Sequence, residues 1–66
     1  MSWDQVQGDW QQVKAKVKET WRELSDDELD QIAGNRNRLL GKIQEKYGIE
    51  LDQAEKCIQD FEMAFR

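Results

Sequence analysis

Ala15-Lys16-Val17-Lys18-Glu19-Thr20-Trp21 is echoed later in the chain by Gly41-Lys42-Ile43-Gln44-Glu45-Lys46-Tyr47. Each phrase leads into a helix-start signal. Ser25 with Glu28, and Asp52 with Glu55, place a capping oxygen three residues ahead of a carboxylate able to reach back to the free amide of the cap. The repetition predicts an all-α fold: a small four-helix bundle made of two packed helical hairpins with an approximate internal duplication.

Upstream of the first phrase, the apolar residues Val6, Trp10, Val13, Val17 and Trp21 recur at intervals of three and four. At 3.6 residues per turn these gather into one stripe, and a strand would need alternation instead. The stripe predicts a first helix from about Asp4 to Trp21, with Gly8 as an interior residue costing about 1 kcal/mol relative to alanine. Leu24 then stands where a hydrophobic staple would pack on Leu29, and a short second helix follows Ser25. Asp26, Asp27 and Glu28 fill its first turn, where negative charge meets the positive end of the helix dipole. Leu29, Ile32 and Ala33 supply its apolar face, and Gly34 is placed to end it in a left-handed conformation.

Asn35 or Asn37 caps a third helix, whose Leu39, Leu40, Ile43 and Tyr47 fall on one side before Gly48 stops it. A fourth helix starts at Asp52. Leu51, Ala54, Ile58, Phe61 and Phe65 project onto one stripe, with Met63 on the opposite face. Proline is absent, so glycine and capping residues carry the punctuation.

Sixty-six residues make a single domain, 1–66, and one of this size hides only about 60% of the surface its unfolded chain exposes. Cys57 is the only cysteine and histidine is absent, so neither a disulfide within the chain nor a histidine-bearing metal site is available. A lone thiol points to a reducing compartment, the cytoplasm. No apolar run approaches the roughly 20 residues needed to cross a bilayer, and the N-terminus lacks the layout of a secretion signal, so no membrane insertion is expected. Fourteen acids stand against ten bases, a net of -4, which repels nucleic acid and anionic membranes at long range.

Catalytic residues, a metal and a cofactor are not expected. Without histidine, Cys57 or Ser25 would have to recruit a carboxylate or lysine as its base. Cys57 falls on the flank of the fourth helix's stripe, where a free cysteine behaves as a small buried hydrophobe. The acidic run Asp26, Asp27, Glu28 and Asp30 lacks the alternating ligand spacing and central glycine of a calcium loop, and capping explains it better. Trp10 and Trp21 belong to the core stripe, whereas Trp3, near a frayed end, is the indole expected to be open to water. Electrostatics supplies the sharper candidate. Lys14, Lys18 and Arg22 stand at i, i+4 positions on the first helix, and Arg38, Lys42 and Lys46 do so on the third. If the hairpins face the same way, these six residues form a patch able to neutralise phosphates. The bland alternative is two solvated flanks balanced by neighbouring acids, which the net charge favours.

The string from Gly8 to Glu19, the Leu24-Ser25-Asp26-Asp27 turn, Gly34, and Gly41 to Gly48 together resemble the CsbD-like family, over almost the whole chain and without a large gap. The resemblance implies a small cytoplasmic bacterial protein of the general or envelope stress response, packed as crossed helical hairpins, with no assigned reaction. Ala15 and Arg22 stand where many relatives have glycine, which makes the first helix more regular here. The expectation is a non-enzymatic protein that acts through a protein partner, which the residues do not name, or through its abundance, as a monomer or weak homodimer. The rival is a weak nucleic-acid or anion binder using the two basic ladders.

Overall fold

A computed structural model describes residues 3–64 as five helices: α1 (Trp3–Gly8), α2 (Trp10–Thr20), α3 (Asp26–Ile32), α4 (Arg36–Tyr47) and α5 (Leu51–Ala64). The fold is all-helical, as the periodicity predicts, but there are five helices where the sequence suggests four. The single helix expected over Asp4 to Trp21 is broken at Asp9, whose backbone (φ -106°, ψ 23°) leaves the helical region. Asp9 N–H still donates to Gln5 O at 2.9 Å, but Gln12 N–H donates back to Asp9 O at 2.9 Å, an i to i+3 bond that tightens the path. Gly8, the weakest helix former in the stretch, sits beside the break. The apolar stripe survives it, with Val6 and Trp10 both buried on either side.

The break seats α1 on the turn between α3 and α4. A Cβ on Gly34 would lie 2.7 Å from Gln7 Cα, so the two backbones approach too closely for any side chain at position 34. Gly34 adopts φ 83°, as its place after α3 predicts, but Ala33 before it is left-handed too (φ 49°). The α3 end therefore takes two left-handed residues, and alanine carries a steric cost of about 1–2 kcal/mol there. Asn35, not Asn37, caps α4: its Oδ1 accepts the Arg38 N–H at 3.2 Å.

Gly48, at φ 61°, ends α4 with its N–H on Gln44 O at 2.9 Å. The next helix starts at Leu51, one residue before the expected Asp52 cap. Ala54 N–H donates to Glu50 O at 3.0 Å, which places Glu50 at the cap. The second capping box does not form, because the Glu55 carboxylate turns to the Arg36 guanidinium, 2.8 Å away. Two charge-assisted bonds outweigh one bond to a solvated amide.

Every helix contributes to one core: Val6 from α1, Trp10, Val13 and Val17 from α2, Leu29 and Ile32 from α3, Leu39 and Ile43 from α4, and Ala54, Ile58 and Phe61 from α5. Trp21 and Leu24, on the α2–α3 connection, complete it. Burying each larger aliphatic member is worth about 1.5–3 kcal/mol relative to leaving it in water. Trp21 packs tilted on Phe61, ring centroids 5.2 Å apart.

Several inward expectations are corrected. Tyr47 is 39% exposed, its hydroxyl accepting the Glu23 N–H at 3.4 Å, so its ring lies at the rim of the core. Leu51 is half exposed, since it begins α5 next to the turn, where little of the core overlaps it. Cys57 is exposed, not buried: the covered stripe of α5 is narrow, and position 57 falls on its open edge. Trp3 packs half-buried against the core and is not open to water. Met63 faces outward as expected. Phe65 lies outside the described residues.

Candidate functional site

Helix α3 organises the charges. Its N-terminus is fixed by the predicted box: Glu28 N–H donates to Ser25 Oγ at 3.2 Å, and Ser25 N–H donates to Glu28 Oε1 at 3.1 Å. Asp26 and Asp30, four residues apart, share one edge of this helix, and Glu28 lies on the opposite edge. The two basic ladders arrive from those two sides. From α2, Lys14 Nζ reaches Asp30 Oδ1 and Lys18 Nζ reaches Asp26 Oδ1, both at 2.7 Å. From α4, Lys46 Nζ lies 3.2 Å and Lys42 Nζ 3.9 Å from Glu28 Oε2.

Of the remaining ladder residues, Arg38 donates through a guanidinium nitrogen to Gln31 O at 3.0 Å. Arg22, in the α2–α3 connection, has no ion pair or hydrogen bond among the described residues. The acidic helix thus stands between the ladders, and five of the six cations engage acceptors of the chain itself. Lys14 and Lys18 are brought together along one edge of α3, Lys42 and Lys46 along the other.

The pairing polarises the carboxylates. The Ser25 backbone N–H, followed by Lys46, holds Glu28 below the usual carboxylate range, and the Lys18 ammonium does the same for Asp26. Asp30 raises the Lys14 pKa through their hydrogen bond.

A second charged group has no counterpart in the sequence reading. Arg36, at the start of α4, donates to both oxygens of Glu55 (2.8 and 3.2 Å) and to Glu62 at 3.1 Å. The Glu55 carboxyl is lowered by this guanidinium, and Arg36 is raised in turn. The clamp ties the start of α4 to two positions on α5 that lie about two turns apart. Its partners lie nineteen and twenty-six residues away, so no local spacing announces it.

Shallow depressions among the described residues border the ladders. One, of about 420 Å³, is lined by Gln31, Ile32, Arg38, Gly41, Lys42 and Glu45. Another, of about 510 Å³, is lined by Ala15, Lys18, Glu19 and Arg22. Neither is enclosed. Among the described residues no group of three or more Cys, Asp or Glu side chains converges as a metal site, and no helix is long and apolar enough to cross a membrane. Ser25 Oγ is engaged in the α3 cap, and Cys57 is a free, exposed thiol.

A family model described as CsbD-like matches residues 4–56. UPF0337 protein YjbJ of Escherichia coli (strain K12) is 52% identical over 62 residues, covering 94% of this chain and 90% of that protein. The YjbJ protein of Salmonella typhimurium (strain LT2) is 50% identical over 62 residues, with 94% and 89% covered. UPF0337 protein ECA0631 of Pectobacterium atrosepticum is 48% identical over 62 residues, with 94% and 90% covered.

Proposed function

The chain belongs to the CsbD-like family, and from that membership we propose that it is a non-enzymatic cytoplasmic protein of the general stress response, acting as a single domain through a protein partner or through its abundance. The observation that carries this reading is the ion-pair arrangement around α3. Lys14, Lys18, Lys42 and Lys46 are turned onto Asp30, Asp26 and Glu28, while Leu51 and Met63 stay in water. Such a surface suits contact with another protein better than chemistry on a small substrate, which needs a recess that excludes water. The two-hairpin organisation belongs to the same proposal, with α2–α3 and α4–α5 as its halves. Quantifying the protein before and after salt and stationary-phase stress, with affinity capture beside an abundance-matched control, tests the reading. A rise in abundance and a reproducible protein partner are expected. Constant abundance with nothing retained above the control overturns it.

A second reading, weak binding of nucleic acid or another polyanion, has one observation in its favour. Asp30 and Asp26, which hold Lys14 and Lys18, are largely exposed, so a phosphate competes there with a carboxylate on similar terms, and Arg22 has no partner among the described residues. Arg38 and Arg22 would extend the two rows. Titration of duplex DNA at low and moderate salt decides: this reading requires salt-dependent binding that disappears when Lys14, Lys18, Lys42 and Lys46 become glutamine.

A further inference from the structure

We propose that α1 is an exchangeable segment: it swings out about the Gly8–Asp9 junction and docks on the α3–α4 turn of a second copy of the chain, which reciprocates to form a dimer. At the junction the backbone departs from a periodicity that the sequence carries straight through. Val6, Trp10, Val13 and Val17 are spaced as in one uninterrupted helix, yet the backbone leaves the helical region at Asp9, whose carbonyl is shared by an i to i+3 bond from Gln12 N–H (2.9 Å) and an i to i+4 bond from Val13 N–H (3.1 Å). Straightening Asp9 restores the i to i+4 ladder and gives a single rod from Trp3 to Thr20, about 27 Å long at 1.5 Å per residue. The α1 portion, about 9 Å of it, then projects away from its own seat.

The closed arrangement is lightly held at the hinge. Asp9 occupies the cap position of α2 but its side chain makes no capping hydrogen bond. Beside it, the indole N–H groups of Trp3 and Trp10 are buried without an acceptor, although Trp10 is only 8% exposed. Each is a donor stripped of water with nothing in return, and opening returns water to the Trp3 indole that α1 carries. Opening unpacks Val6 and the half-buried Trp3 ring together, and the hydrogen bond that water returns to the Trp3 indole offsets part of that loss.

The identity of the occupant follows from the shape of the seat. At Gly34 the turn accepts the backbone of Gln7 at a distance no side chain allows, and Val6 beside it is 2% exposed. A surface so closely matched to α1 is matched equally to α1 of another copy, and exchange of an identical element needs no new interface. What distinguishes the dimer energetically is the hinge, which is bent in the monomer and straight in the exchanged form.

The test uses the full chain under reducing conditions, so that Cys57 does not link copies. Sedimentation equilibrium from micromolar to millimolar concentration is compared for the wild type and Asp9→Ala, a change that favours the straight hinge in both copies. Self-association stronger by about fivefold or more is expected for the variant, given the helix preference of alanine over aspartate at two hinges. Labelled and unlabelled Asp9→Ala, co-refolded at high concentration, are expected to show intermolecular nuclear Overhauser contacts between Gln7 of one copy and Gly34 of the other. Val6→Ser weakens the same seat in the closed monomer and in the exchanged dimer, so in the Asp9→Ala background it should leave the association constant little changed while speeding exchange between copies; a dimer that Val6→Ser abolishes would rest on some other interface and overturns the proposal. An Asp9→Ala protein that stays monomeric at millimolar concentration, or a dimer whose Gln7–Gly34 contacts are all within one chain, overturns the proposal.

Discussion

Three residues with positive φ provide a graded test of local strain. Gly34 combines a left-handed backbone (φ 83°) with the 2.7 Å approach of Gln7 Cα, so Gly34→Ala meets both torsional strain and a backbone clash. A loss of about 2–4 kcal/mol is expected in urea unfolding. Gly48 has φ 61° but nothing within 4 Å of its Cβ position, so Gly48→Ala should cost only the torsional part, about 1–2 kcal/mol. Ala33 runs the other way. Its side chain is exposed and its φ is 49°, so Ala33→Gly should raise stability by about 1 kcal/mol, read as a higher urea midpoint with unchanged slope. Gly34 and Gly48 were legible as helix stops because a glycine after an apolar period is a local signal. The steric demand at Gly34 was not, because Gln7 comes from a distant part of the chain, and nothing in the spacing says that α1 folds back over that turn.

Among the elements, legibility follows the range of the deciding contact. The α3 start is written within four residues, and the Ser25–Glu28 box forms as read. Asp52 and Glu55 carry the same spacing, yet α5 begins without a box, because Arg36 from another helix claims Glu55. The Asp4 to Trp21 period was correctly apolar and wrongly continuous, since the stripe says which face is buried and not whether the axis bends. Two element-scale outcomes follow. Arg36→Met removes the clamp and leaves Glu55 and Glu62 without their shared cation. About 1 kcal/mol should be lost, a figure kept low because a quarter to a third of each side chain remains in water. Thermal unfolding of the variant beside Glu55→Gln reads this directly, and the double variant should lose less than the sum of the two single losses. Gly41, inside α4, meets nothing within 4 Å at its Cβ position, so Gly41→Ala should stabilise by about 1 kcal/mol through helix preference alone.

For the whole molecule, the i, i+4 spacing of the two ladders was legible as two cationic rows. Their destination was not, because it depends on α3 lying between α2 and α4 with acids on both edges. This arrangement makes the stability of the small core sensitive to acid. Asp26, Glu28 and Glu55 all have carboxyl groups held below their ordinary values by Lys18, by Ser25 with Lys46, and by Arg36. A carboxyl whose folded value is depressed binds fewer protons in the folded than in the unfolded chain as pH falls. Its contribution is complete above the ordinary carboxylate values of about 4 and fades as pH drops through the folded values below that. Stability should therefore be level from neutrality down to about pH 5 and decline steadily beneath it. Urea midpoints measured across that range should show the decline, and the Glu28→Gln variant should show a shallower one, because Glu28 serves the α3 cap and Lys46 at once. A Glu28→Gln protein whose acid slope matches the wild type would place the sensitivity elsewhere among the carboxylates, away from the helix that the two ladders share.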